Sequence, residues 1–108
     1  MRKINLMDYE VGIPQEDGTS KKVPYKVKES VVGILFHPDL KLSAMGLMEH
    51  KKIADKIEAA TDEILLEDAE HDKIKNAVNK IQGFGRPDIE LVNRILEAPI
   101  INVTEKGE

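Results

Sequence analysis

The chain has 108 residues, 41% hydrophobic and 33% charged, with no cysteine, no tryptophan and a formal net charge of -4. That length suits one domain with a single modest core. The missing cysteines exclude a disulfide framework, a zinc knuckle and a thiolate nucleophile, and no apolar run approaches the roughly 20 residues of a membrane span.

Charge is distributed unevenly. Residues 1–28 carry six Lys/Arg against four Asp/Glu, whereas residues 61–108 carry six against eleven. A weakly basic front and an acidic back do not make the concentrated basic face that nucleic acid requires. The two ends read as solvated surface, with head-to-tail self-association as the alternative.

Lys3 to Val11 alternates as a strand, with Ile4 and Leu6 on one side and Met7, Tyr9 and Val11 on the other. The turn-rich stretch from Ile13 to Ser20 contains Asp17-Gly18, a pair that readily supplies positive φ. Lys21 to Lys28 follows with Val23, Tyr25 and Val27 at period two, and Pro24 places this strand at an edge because it cannot donate to a ladder. The two runs predict an N-terminal β-hairpin.

Val31, Val32, Leu35 and Phe36 recur at helical spacing, and Pro38 stops a helix at His37; a buried strand is the competing reading. Leu40 and Leu42 are expected to anchor the linker that follows. Ser43 is the predicted N-cap of a second helix to about Ala60, whose stripe runs Leu47, His50 or Lys51, Ala54, Ile57 and Ala60, supported by Met48 and Ile53. Glu63 to Leu66 is a short strand or a packed turn. Asp68 is expected to cap a third helix to about Ile81, with Ile74, Ala77, Val78 and Ile81 inward. Gly83-Phe84-Gly85 ends it, Pro87 opens a fourth helix bearing Leu91, Val92, Ile95 and Leu96, and Pro99 stops that one. Ile100 to Thr104 is β-branched enough for a last strand against the hairpin. The expected architecture is α+β in one domain, 1–108: hairpin 3–28, a helical part 29–98 of three to four short helices, and a terminal strand 100–104.

Few residues invite a chemical role. His37, His50 and His71 form no metal-ligand pair; Glu67 and Asp68 beside His71 read as a capping turn with an exposed histidine. Ile64-Leu65-Leu66 interrupts the acids that a calcium loop would need at alternate positions. Gly83-Phe84-Gly85-Arg86 lacks the third glycine of a dinucleotide fingerprint and the Gly-Lys-Ser/Thr of a Walker loop. None of the serines lies in a nucleophile elbow. The helix–break–helix from Asp68 to Glu97 resembles a helix-turn-helix, but its second helix is acidic. Tyr9 and Tyr25 beside hairpin lysines make a meagre platform for single strands, and cross-strand packing is the plainer reading. The chain is therefore read as a non-enzyme without cofactor or metal.

Four segments carry a resemblance: Met1 to Tyr9, Val23 to Ser30, Leu65 to Glu70 and Asp88 to Val92. In them the chain resembles a group of small proteins encoded in tailed phages and prophages. None of the segments is a chemical motif, so the resemblance implies context: a product made in a bacterial cytoplasm, or carried with the virion.

The expected function is non-catalytic protein interaction, as a phage accessory or assembly factor binding a phage structural or host protein. The alternative is a small acidic regulator of a host protein or of nucleic-acid machinery, using Glu67, Asp68, Glu70 and Asp72. Tyr25 on the hairpin and Val103 on the terminal strand mark the expected edges for a partner strand or a homo-oligomer contact.

Overall fold

The apolar alternation of the N-terminal run changes parity between Leu6 and Met7, and the chain breaks there. The computed structural model describes residues 1–101 and places two strands where one was expected, β1 at Arg2–Asn5 and β2 at Tyr9–Pro14. Ile4 and Leu6 enter the core, the Met7 amide donates to Asn5 Oδ1 at 2.8 Å, and β2 leaves in a new direction. β1 pairs antiparallel with β4, Glu63–Leu66, with Ile4 opposite Ile64. β2 pairs with β3, Ser20–Tyr25, so the hairpin runs from Tyr9 to Tyr25 and not from residue 3 to 28.

The stretch from Val27 to Lys28 was expected to extend the second hairpin strand, and it is helical. Helix α1, Val27–Leu35, starts two residues before the expected helical part at 29. Its first amide donates to Asp8 Oδ1 at 2.9 Å, so the cap comes from the β1–β2 connection. Val27, Val31, Ile34 and Leu35 form its buried stripe. Helix α2, Ala44–Ala59, begins at the expected Ser43 cap, whose hydroxyl accepts from the Gly46 amide at 3.1 Å.

The inward face of α2 is His50, Ile53, Ala54 and Ile57; Leu47 and Met48, expected inside, are 46% and 56% exposed. The reason is length. Helix α1 has nine residues and α2 sixteen, and they are tied at Leu35–His50 and Lys28–Ala60, so the first turns of α2 overhang their partner.

Helix α3, Asp68–Lys80, has Glu67 rather than Asp68 as its N-cap; the Glu67 amide donates to Glu70 Oε1 at 2.9 Å. Ile74, Ala77, Val78 and Ile81 point inward as expected. After Gly83, at a φ of 99°, a 3-10 turn at Arg86–Asp88 leads into helix α4, Ile89–Leu96. Pro87 therefore opens the turn and not the α-helix. Leu91 and Ile95 are fully buried, and Val92 and Leu96 are half-buried.

The terminal segment was expected to join the hairpin. Ile100 instead bridges Arg2, and the Ile101 amide donates to the Met1 carbonyl at 2.7 Å, so it flanks β1. Asn102 to Thr104, including Val103, lie outside the described residues. The fold is α+β, with a small sheet and four helices around one core, and the hairpin beside it. No helix among the described residues is long and apolar enough to cross a membrane.

Helix ends leave carbonyls without partners, and here neighbouring elements supply the donors. Leu35 cannot use its usual partners, because Pro38 has no N–H and the Asp39 amide donates to His37 Nδ1. His50 Nδ1 donates to the Leu35 carbonyl at 2.7 Å instead. Ile95 faces the same problem, since Pro99 stands four residues on; His71 Nε2 meets its carbonyl at 2.7 Å. Lys28 reaches the Ala60 carbonyl, Lys80 the Leu40 carbonyl at 3.2 Å, and Arg2 the Ala98 carbonyl at 2.8 Å. Both buried histidines thus close the ends of helices other than their own.

Candidate interaction surface

Tyr9 and Tyr25 face each other across the hairpin, and the two rings are the clasp between it and the helices. They stack at 4.7 Å between centroids with 11° between planes. The Tyr9 hydroxyl donates to the Pro87 carbonyl at 2.8 Å and accepts from the Leu91 amide at 3.2 Å. Tyr25 donates to Asp88 Oδ1 at 2.5 Å, while Asp88 Oδ2 takes the Gly85 amide at 2.8 Å. Arg94 lies 5.0 Å from the Tyr9 ring centroid, donates to the Asn5 and Met7 carbonyls and pairs with Glu90 at 2.5 Å. The tyrosines therefore do cross-strand packing and docking, and Tyr25 has its hydroxyl committed within the chain.

Burial first, and for Tyr25 the Asp88 hydrogen bond next, raises both phenol pKa values above their ordinary value of 10.0. A raised folded value means the neutral phenol is the form the fold holds. Its contribution is complete below about pH 10 and lost as pH rises through the folded value. Thermal melts are expected to fall more steeply above that pH for the wild-type chain than for Tyr25→Phe; equal slopes would show that Tyr25 does not govern the alkaline limb.

The hairpin has two outward edges, and each is blunted by a proline. Residues directly opposite include Glu10 and Pro24, Gly12 and Lys22, and Pro14 and Ser20. Pro24 has no N–H, so its pair is not hydrogen-bonded and points its backbone outward; the Gln15 amide bond to Thr19 keeps the same alternation. The β2 edge thus presents the Glu10 and Gly12 amides and then Pro14, and the β3 edge those of Ser20 and Lys22 and then Pro24. The alternate residues Tyr9, Val11, Ile13, Lys21, Val23 and Tyr25 share the face that meets the Arg86–Asp88 turn.

Two recesses flank that turn. One, about 540 Å³, lies under the hairpin between Val11, Gly12, Pro14, Ser20, Arg86 and Pro87. The other, about 560 Å³, lies between the Phe84–Arg86 segment and α4, and Ile89, Val92 and Leu96 line it at i, i+3 and i+7. Ile89 is 64% exposed, although the first turn of a helix readily takes a polar residue. Among the described residues Arg86, which lines both recesses, makes no ion pair or side-chain hydrogen bond. The sequence marked 83–87 as a turn and showed no recess there; the first is walled by the hairpin that the tyrosines hold in place, the second by the Phe84–Asp88 segment against α4.

The acidic candidates have separate duties. Glu70 accepts Lys56 at 2.8 and 2.9 Å, tying α3 to α2. Burial pushes its carboxyl up, but the Lys56 and Glu67 hydrogen bonds outweigh that and hold it below the usual carboxylate value. Asp68 sits 3.7 Å from the Met1 ammonium with its side chain 78% exposed, and Glu67 and Asp72 are also exposed. His71, expected on this surface, is 2% exposed and belongs to the core. Its helix turns it away from the acids toward Ile95. Among the described residues no three His, Asp or Glu side chains are grouped to hold a metal ion.

No protein-family model, curated protein or solved structure matches the chain.

Proposed function

We propose that the chain is a non-catalytic protein-interaction protein, a phage or prophage accessory or assembly factor, that binds through the surface around Arg86. The observation that supports this most is the apolar stripe of exposed Ile89 and half-buried Val92 and Leu96 facing Phe84 across an open recess. Val92, Leu96 and Phe84 pack one side against the core, but Ile89 serves no such contact, and apolar surface rimmed by polar groups fits a partner's side chains. The alternative, an acidic regulator of a host protein or of nucleic-acid machinery, draws on the exposed carboxylates of Glu67, Asp68 and Asp72.

Affinity capture from a bacterial host with the phage induced separates the two readings. Capsid, portal or tail proteins are expected to co-purify with the wild-type chain and to drop at least about tenfold with Ile89→Asp, a loss of about 1.4 kcal/mol. Ile89 is exposed, so the fold tolerates the change. Partners lost instead with Asp68→Lys/Asp72→Lys, and kept with Ile89→Asp, would overturn the proposal in favour of the regulator.

A further inference from the structure

The chemistry of the partner can be narrowed, resting on the reading of the Arg86 face as an interaction surface. We infer that this face takes an acidic–apolar segment of a partner protein, its apolar side chains in the two recesses and a carboxylate on Arg86.

Charge complementarity selects the carboxylate. Arg86 is exposed and, among the described residues, without an ionic partner; Glu90 is paired with Arg94, and Asp88, which also lines the second recess, has its oxygens turned onto the Tyr25 hydroxyl and the Gly85 amide. Lys21 follows Ser20, a lining residue of the first recess, and stands opposite Ile13 in the hairpin. Of the two tip carboxylates, Glu16 and Asp17, Asp17 is turned onto Thr19, with its amide at 3.0 Å and hydroxyl at 2.7 Å. A guanidinium forks two parallel donors onto one carboxylate, and flanking apolar walls reduce the competition from water.

Shape selects the apolar component. The stripe on α4 is about 10 Å long, enough for two partner side chains one helical turn apart. Strand addition to the hairpin is the weaker mode. Each edge presents two outward amides and then a proline, so a partner strand finds a ladder that stops after two rungs.

The test is selection from a randomised 12-residue peptide library on the full chain, followed by fluorescence anisotropy of the enriched peptides. The expected peptides carry Asp or Glu next to Leu, Ile or Phe. Their affinity falls at least tenfold with Arg86→Glu and with Ile89→Asp, less with Arg86→Lys, and declines with added salt. Apolar peptides without acids that bind Arg86→Glu as well as the wild type, yet are lost with Ile89→Asp, would overturn the acidic component and leave the interaction surface standing. Peptides indifferent to Ile89→Asp would overturn the recess as the docking site. Circular dichroism of each variant confirms that the fold is retained.

Discussion

Replacing His71 by alanine is expected to destabilise the fold by about 3 kcal/mol. Two losses combine. The imidazole is 2% exposed and leaves a cavity, and the Ile95 carbonyl it meets at 2.7 Å lacks the usual i+4 donor because Pro99 stands there. The carbonyl can only accept, so Nε2 carries the proton in this contact. His71→Leu keeps most of the volume and isolates the polar loss at about 2 kcal/mol. For a domain of this size the alanine variant is expected to melt roughly 15 °C lower. Thermal and urea denaturation check both variants. A leucine variant as stable as the wild type would mean that the histidine contributes volume alone.

Tyr9→Ala is expected to release the hairpin while the helices stay folded. It removes the stack on Tyr25, the Arg94 cation contact and both hydrogen bonds to the Pro87–Leu91 segment. Summed at ordinary magnitudes these amount to about 3 kcal/mol of hairpin docking. Tyr9→Phe keeps the ring and loses only the two hydrogen bonds, about 1 kcal/mol. Amide hydrogen exchange reads the difference by position. Val11 and Val23 lose protection in Tyr9→Ala, whereas Val31, Leu35 and Ile74, fully buried in the helices, keep theirs. Protection falling together at all five positions would show that hairpin and helices unfold as one unit. The alanine variant also opens the recess under the hairpin, so binding at the Arg86 face is expected to weaken with it.

The acidic limb has a separate origin. The Glu70 carboxyl is held below its ordinary value, so its contribution is present above the unfolded pKa and lost as pH falls through the folded one. That loss concerns the tie between α2 and α3 and leaves the hairpin clasp unaffected.

Local patterns were enough for the α+β class, the four helices and most of their inward residues. Ser43 with Gly46 three residues on, Ile74 to Ile81 at helical spacing, and Gly83 before Pro87 are signals confined to a few residues, and short-range sterics and capping decide them. The parity change between Leu6 and Met7 also stood in the sequence, and it marks the split into β1 and β2. Tertiary structure decided which strands pair, because Ile4 opposite Ile64 joins positions 60 apart and nothing in either run names its partner. It decided the caps of α1 and of the Leu35 and Ile95 carbonyls, each supplied from a distant segment. It also turned His71 inward, left Leu47 and Met48 overhanging, and assembled the Arg86 face from the hairpin, a turn and α4. A sequence determines periodicity and local stops by itself; the donor that reaches a stranded carbonyl, and the wall that completes a recess, depend on which surfaces the hydrophobic core brings together.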